Sequence, residues 1–374
     1  MSGASLKGQG MKIGVLQRVL AGYRVPFFDE LAVRFGGSLT LFAGHARPEE
    51  MIDESRLPEI AKVYPAKNLD LLPDVLNGKA YFCIQTNVLQ WLGSEEPDVL
   101  ICEANLRYPA TLAAIGWMRR RGRPVIGWGL GAGSATGPFK RAFIGSFDAL
   151  LTYGARGAET YRELGFPGER IFIAKNAVAA RPRHDPPARP SGFPGGEPLL
   201  LSVGRLQARK RIDLLIESCA ALEREFRPRL RIVGDGPARG ELERFAAERY
   251  PRTEFPGALY GDELAAQFAA ADLFVLPGTG GLALQQAMAS GLPVIAAEAD
   301  GTQSDLVRAD NGRTIQSGDG VALTAAIREL LTDPARLREM GARSFAIVRD
   351  EINLERMADR FEAAIRFTAT EKSR

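Results

Sequence analysis

The sequence predicts an α/β protein built from two open, mostly parallel sheets. Two blocks of short, almost wholly apolar runs alternate with amphipathic stretches, as expected for strands that helices cover on both faces. Between the blocks, residues 181–197 are rich in proline, glycine and arginine and follow neither a helical nor a strand period. We therefore expect two Rossmann-like domains facing a central cleft, with ligands at the carboxyl ends of the strands.

The predicted strands divide the chain into domains. In the first block they are KIGVLQ, SLTLFAG, DVLICEA, PVIGWG and ALLTY, and in the second PLLLSVG, RLRIVGDG, DLFVLPG and PVIAAE. We place an N-terminal domain at 11–180, a linker at 181–197, and a C-terminal domain at 198–350. The helical stretch 351–374 could pack back across the linker onto the N-terminal domain.

Composition excludes several classes of protein. The 374 residues are 45% apolar and 25% charged, which is typical of a globular protein long enough for two cores. With 48 basic and 45 acidic residues the net charge is +3, too small to indicate a nucleic-acid partner. The 3 cysteines are few, distant and set in apolar runs, so they predict neither disulfides nor a zinc site. No apolar run reaches the roughly 20 residues of a membrane span, and we expect a cytoplasmic protein.

The segment Asp272–Glu298 is the most informative. It reads as an apolar strand, a glycine turn, a short helix and a second strand, which places a helix N-terminus where it can hold a phosphate. The backbone at Gly280 and Gly281 could approach a ligand closely. This pattern predicts an anion site.

A second segment, VGRLQARKRIDLLIES, supplies cations at the carboxyl end of another strand. Arg205 and Lys210 follow Gly204 and should face the same crevice as the glycine turn. Arg209 and Arg211 fit a solvated helix entrance instead.

In their order and spacing, VGRL...K.ID.LI, RIVGDGP, FPGAL and DLFVLP with GL..Q.AMASGLPVIA resemble glycosyltransferase family 4 of the GT-B fold. The resemblance covers nearly all of the second domain. It implies retaining transfer of a sugar from a nucleotide diphosphate sugar, bound mainly by the C-terminal domain, to an acceptor bound mainly by the N-terminal domain. Arg205 and Lys210 fall on the family's catalytic, diphosphate-binding pair. The donor-binding residues that it predicts are Gly204, Thr279, Gly280, Gly281, Leu282 and Gln286. It implies no cofactor or metal, and the chain has no Asp-X-Asp motif.

The chain departs from the family at two positions. Relatives usually carry two glutamates separated by seven residues, and Gly278 and Gln286 stand there instead. Gln286 can still bond ribose hydroxyls, without charge assistance. Donor recognition must then depend on backbone amides or on residues elsewhere. The alternative for Gln285 and Gln286 is an ordinary polar position on a partly buried helix.

In the N-terminal domain, Tyr23 and Arg24 follow the first strand, and Pro26 opens a helix with an apolar face. We assign both as acceptor-binding residues, with a surface arginine as the alternative for Arg24. Where many relatives have a histidine near the reacting sugar, Trp128 stands in the neighbourhood, and no catalytic base is predicted.

The predicted partners are a nucleotide sugar and a sugar or lipid-linked acceptor. Peripheral membrane contact through Trp117, Met118 and the arginines that follow is one interpretation of that run, and a helix C-terminus complemented by cations is the other. Two other functions stay open: a sugar-nucleotide 2-epimerase, disfavoured by the scarcity of histidine, and a non-catalytic sugar-nucleotide-binding protein. A Rossmann dehydrogenase is disfavoured because no G-X-G-X-X-G follows the first strand.

Overall fold

The computed structural model describes residues 10–50, 52–71, 81–133, 137–280, 282–299 and 303–372. Two compact units divide the chain. The first unit comprises Met1–Asn176 and Leu354–Arg374, and the second comprises Ala177–Asn353. The chain therefore passes between the units twice, after Asn176 and after Asn353.

Both units are built from short strands. In chain order these are β1 (Ile13–Val19), β2 (Leu39–Gly44), β3 (Lys62–Pro65), β4 (Asn68–Leu71), β5 (Phe82–Gln85), β6 (Val99–Glu103), β7 (Val125–Gly129), β8 (Ala149–Thr152), β9 (Ile171–Ile173), β10 (Leu199–Val203), β11 (Arg229–Val233), β12 (Thr253–Gly257), β13 (Leu273–Leu276), β14 (Val294–Ala297) and β15 (Gly312–Ile315).

Helices alternate with these strands. They are α1 (Val25–Arg34), α2 (Val88–Glu95), α3 (Pro109–Arg119), α4 (Pro138–Ile144), α5 (Ala155–Glu163), α6 (Ile212–Ala221), α7 (Glu223–Phe226), α8 (Arg239–Arg249), α9 (Gly261–Ala270), α10 (Leu282–Ala289), α11 (Gln303–Leu306), α12 (Gly320–Thr332), α13 (Pro334–Asp350) and α14 (Leu354–Lys372).

Each unit has a parallel sheet of the Rossmann kind. Among the described residues, the first sheet has seven strands in the order β3-β2-β1-β6-β7-β8-β9, and the second has six in the order β12-β11-β10-β13-β14-β15. In both, the order reverses direction beside the first strand of the unit, and ligands of open α/β sheets bind at that point. Strands β4 and β5 form a separate antiparallel pair. The predicted α/β class with two Rossmann-like domains is confirmed.

The strands that the sequence did not predict lie mostly at the sheet edges. All nine predicted apolar runs form strands, whereas β3, β9, β12 and β15, which end the two sheets, were missed. An edge strand is covered less completely, so it tolerates polar residues. In β15, for example, Arg313 and Thr314 lie between buried Gly312 and Ile315. Continuous apolar runs therefore mark the central strands only.

The aromatic core of the first unit joins α1 to α14. Phe27, Phe28 and Leu31 of α1 are fully buried, as predicted from the apolar face after Pro26. The Phe361 ring of α14 lies edge-on to Phe27 at 4.8 Å and to Trp128 at 4.9 Å between ring centroids. The C-terminal helix therefore packs on the first unit.

Of the residues considered for membrane contact, the two apolar ones are buried, whereas most of the arginines that follow them are exposed. Trp117 is 6% exposed and Met118 fully buried, and the guanidinium of Arg121 covers the Trp117 ring at 3.7 Å. Arg119 donates to the backbone oxygen of Ser146. Of the two interpretations, these contacts favour a helix C-terminus whose dipole is complemented by cations. No helix among the described residues is long and apolar enough to cross a membrane.

The predicted linker, residues 181–197, falls within the second unit. Arg189 anchors it by donating hydrogen bonds to the carbonyl oxygens of Phe268 at 2.8 Å, Ala271 at 2.9 Å and Ser290 at 2.9 Å. These carbonyls lie at the C-terminal ends of α9 and α10, where the helix dipole favours a cation. Burial, and next the charge of Arg338, lowers the pKa of Arg189 to about 10.

Replacing Arg189 with alanine is expected to destabilise the second unit. The variant loses several charge-assisted hydrogen bonds and leaves carbonyls at two helix ends unpaired, so we expect the free energy of unfolding to fall by about 2–3 kcal/mol. Urea denaturation measures this as a lower midpoint at unchanged slope. The exposed Arg183 of the same segment is the matched control, and equal effects of Arg183→Ala and Arg189→Ala would contradict the anchoring role.

Candidate functional site

The candidate site of the second unit lies where β10 and β13 run side by side. These strands pair in parallel, and the sheet order reverses between them. The loop after β10 carries Gly204, Arg205 and Lys210, and the loop after β13 carries the glycine turn. Both loops therefore leave the same edge of the sheet, as the sequence predicts.

Hydrogen bonds join the two loops. The Thr279 N–H donates to Arg209 O at 3.1 Å, and Arg209 Nη1 donates to Thr279 Oγ1 at 2.9 Å. Arg209 is exposed, as expected, and its bonds to Thr279 also hold the glycine turn against the β10 loop. Arg211 fits the expectation, since it is paired with Asp213 at 3.0 Å and both side chains are well exposed.

Gly278 is a point of close backbone approach. A Cβ added there would lie 2.3 Å from Arg209 O and 2.5 Å from the carbonyl carbon of Lys210. Any side chain would have to push the backbone of the β10 loop aside. Glycine at position 278, where the family resemblance predicts a glutamate, is therefore a requirement of this packing.

The Lys210 ammonium lies among the glycines of both loops. A Cβ built on Gly280, where φ is +124°, would lie 2.2 Å from Lys210 Nζ, and one on Gly204 would lie 3.9 Å from it. Burial, and next the charge of Arg209, lowers the pKa of Lys210. A partly desolvated cation beside open glycine backbone is suited to binding an anion.

Arg205 lines one small pocket with Gly204 and Lys210. Its loop is held by Gly204 N–H donating to Val233 O at 2.9 Å and by Leu206 N–H donating to Asp235 O at 2.9 Å. The structure thus brings the two predicted catalytic cations to one place. The Asp235 carboxylate accepts hydrogen bonds from Gly236 N–H at 2.6 Å and from Arg239 at 3.0 Å. It therefore stabilises the turn in which it lies.

The remaining predicted donor residues lie on the turn after β13 and on α10. Helix α10 begins at Leu282, whose side chain is exposed, and Gln286 is exposed one turn later. Gly281 lies outside the described residues. The first N–H groups of a helix have no acceptor within the helix, so the start of α10 stays a predicted anion site.

Gln285 has a structural role that the sequence did not reveal. Its buried side chain accepts hydrogen bonds from Val178 N–H at 2.6 Å and Ala179 N–H at 2.9 Å, and donates to Ile352 O at 3.2 Å. These partners belong to the two segments at which the second unit begins and ends. Gln285 therefore fixes both segments to α10.

Gln303 also escaped the sequence analysis. It begins α11, is 2% exposed, and donates from Nε2 to Gly280 O at 3.3 Å. In the sequence it is a single glutamine that follows a predicted strand, and no local pattern distinguishes such a residue from a surface residue.

In the first unit, Tyr23 is half-exposed but Arg24 is not a surface residue. Arg24 is 7% exposed, with its guanidinium carbon 5.1–5.4 Å from the ring centroids of Tyr23, Trp128 and Tyr153. Its Nη2 donates to the Tyr153 hydroxyl at 3.2 Å. The surface-arginine alternative is therefore wrong, and Arg24 stabilises the aromatic core by cation–π contacts.

A polar cluster at the carboxyl ends of β1 and β6 was not predicted. The Arg18 N–H donates to Glu103 at 2.9 Å, and the Arg18 guanidinium donates to Glu50 at 2.9 Å and to the Tyr81 hydroxyl at 3.4 Å. Burial raises the pKa of Glu103. This cluster lies where the strand order of the first sheet reverses, which makes Glu103 a candidate ligand-binding residue.

No group of three or more histidine, cysteine, aspartate or glutamate residues within the described ranges could hold a metal ion.

Comparison with known families matches residues 197–333 to the model described as "Glycosyl transferases group 1". A GDP-mannose-dependent alpha-mannosyltransferase of Corynebacterium glutamicum is 34% identical over 209 residues, which cover 55% of this chain and 47% of that protein. The chain thus spans about half the length of this relative.

Solved structures match almost the whole chain. Anabaena HepE in complex with UDP superposes with a TM-score of 0.70 at 15% identity, over 96% of this chain and 100% of that one. Sucrose-phosphate synthase from Thermosynechococcus elongatus gives 0.70 at 19% identity, over 96% and 100%. At identities this low, the superpositions establish only the shared fold, which is that of GT-B proteins.

Proposed function

We propose, from the match of residues 197–333 to the group 1 glycosyl transferases, that this protein transfers a sugar from a nucleotide diphosphate sugar to a hydroxyl acceptor. The observation that supports this best is the position of the Lys210 ammonium. It lies against Gly280, beside Gly204 and the pocket of Arg205, at the order reversal of a Rossmann sheet. Two cations and a helix N-terminus together suit a diphosphate.

The same groups would favour breaking the bond from the sugar to the diphosphate. As that bond breaks, its electron pair moves to the leaving oxygen, and negative charge develops there. Arg205, Lys210 and the amide groups at the start of α10 are fixed charges and dipoles that stabilise this oxygen more in the transition state than in the ground state. The acceptor oxygen bonds to the sugar carbon, and its proton passes to the departing phosphate oxygen. Transfer on one face in this way retains the anomeric configuration.

The donor is proposed to carry a uridine or guanosine diphosphate. HepE was solved with UDP, and the corynebacterial relative is GDP-mannose-dependent. The acceptor is proposed to be a sugar or a lipid-linked sugar of a growing polysaccharide or glycolipid, bound by the first unit, with catalysis in the cytoplasm or at the inner face of a membrane.

A panel of UDP- and GDP-sugars tests the proposal. With no acceptor, slow release of free sugar that keeps its anomeric configuration, followed by NMR, supports a retaining transferase. Inversion at C2 without hydrolysis would instead identify an epimerase. Tight binding of a nucleotide sugar with neither reaction, even with an acceptor library present, would identify a binding protein.

The lowered pKa of Lys210 predicts a pH dependence. Only the protonated amine attracts a diphosphate, and burial makes it lose its proton below the usual lysine range, about 10.4. We therefore expect kcat/KM, which reports groups of the free enzyme, to fall as the pH rises through that lowered pKa. Lys210→Arg keeps its charge and should move the alkaline limb upwards. An identical alkaline limb in both proteins would exclude Lys210 as its origin.

A further inference from the structure

The amide oxygen of Gln303 is a buried acceptor that no donor satisfies. The amide is oriented by its Nε2 bond to Gly280 O at 3.3 Å, because the opposite orientation would place two oxygens together. Oε1 is then buried without a hydrogen-bond partner among the described residues. An unpaired buried oxygen destabilises the fold, and a ligand that donates a hydrogen bond to it would remove that cost.

The site offers few other polar side chains for a sugar. Gly278 cannot carry one, because its Cβ would lie 2.3 Å from Arg209 O. Gln286 is exposed on α10, and Gln285 is occupied by Val178, Ala179 and Ile352. Gln303 is left as a buried hydrogen-bonding side chain that contacts the glycine turn directly.

The position of Gln303 relative to Lys210 suits the donor. The Lys210 ammonium approaches the α-carbon of Gly280, and the Gln303 amide approaches the carbonyl oxygen of the same residue. A diphosphate bound by Lys210 and the start of α10 therefore has its attached sugar close to this one backbone unit. A hydroxyl of that sugar is the donor that Oε1 lacks.

We infer that Gln303 is a specificity-determining residue whose Oε1 accepts a hydrogen bond from a hydroxyl of the donor sugar. It thereby takes the place of a carboxylate at position 278. The inference rests on the proposed function, and it predicts a contact with the sugar and none with the nucleotide. Because the amide is neutral, this contact is weaker than one to a carboxylate and adds no negative charge to the site.

Calorimetric titration of the full chain separates the contribution of the sugar to the binding affinity from that of the nucleotide. The ligands are UDP-glucose, UDP-galactose, UDP-N-acetylglucosamine and GDP-mannose, together with UDP and GDP. For the preferred nucleotide sugar, Gln303→Met is expected to weaken binding about tenfold, equivalent to about 1.4 kcal/mol. Its affinity for the free nucleotide should not change. Gln316→Met, at an exposed glutamine after β15, is the matched control and should bind as the wild type does.

Donor analogues that each lack one sugar hydroxyl identify the partner. The wild type should bind one analogue about tenfold more weakly than the parent, whereas Gln303→Met should bind both equally, so that the two losses are not additive. If Gln303→Met does not fold, Gln303→Asn, which keeps the amide but withdraws its oxygen, should show the same selective loss.

Several results would overturn the inference. If the Gln303 variants keep the wild-type difference in affinity between the nucleotide and the nucleotide sugar, the sugar contact is excluded. An equal loss for both ligands shows a structural role. If the wild type binds no nucleotide sugar at all, the proposed function fails as well, whereas sugar-nucleotide binding that depends on Lys210 but not on Gln303 overturns this inference alone.

Discussion

Lys210→Ala is expected to lower kcat by about 100- to 1000-fold, and Arg205→Ala by a similar factor. Both side chains line one pocket at the β10 edge, and each variant removes one of these two fixed cations. Loss of a single group that stabilises a developing oxyanion typically costs about 2.7–4 kcal/mol of transition-state free energy. Initial rates of transfer or of donor hydrolysis at saturating nucleotide sugar measure the effect directly.

Arg211→Ala is the matched control for both variants. Arg211 follows Lys210 immediately, but its side chain is paired with Asp213 at 3.0 Å. It should keep kcat within about twofold of the wild type, because surface ion pairs contribute little. Turnover near the wild-type rate in both Arg205→Ala and Lys210→Ala would disprove the diphosphate assignment.

Gly278→Glu, which introduces the carboxylate that the family resemblance predicts here, is expected to reduce kcat by about 100-fold or more. A Cβ at this position would lie 2.3 Å from Arg209 O and 2.6 Å from Lys210 O, so the β10 loop must move. That movement displaces the Lys210 ammonium from Gly280, and misplacement of about 1 Å at a reacting centre can cost 100-fold. Overpacking also lowers the free energy of unfolding by about 1–3 kcal/mol.

Gly240→Glu is the control for this substitution. Gly240 lies in α8 with nothing within 4 Å of an added Cβ, so the same change should leave kcat unaffected. Higher activity of Gly278→Glu than of the wild type would show that the loop adapts, and that the missing glutamate is simply a loss of function.

The candidate site shows where sequence patterns stop being informative. Arg205, Lys210 and the glycine turn were predicted because each follows an apolar run that marks a central strand, and parallel strands end at one sheet edge. The exposure of Arg209 was predicted, but its role in joining the two loops was not, because helical phasing was assumed for residues that form a short turn before α6. Its bond to Thr279 crosses 70 residues of sequence, and nothing in the local pattern indicates it.

The sequence by itself determined the α/β class, the central strands of both sheets and the loops that hold the proposed diphosphate. These follow from burial and backbone conformation, which are properties of neighbouring residues along the chain. Only the tertiary structure decided that Gly278 is required by the Arg209 backbone, that Gln285 fixes segments 107 and 67 residues away, and that Gln303 approaches Gly280. Such contacts depend on which loops meet at a sheet edge, and a glutamine has the same local pattern whether its partner is water or a distant carbonyl.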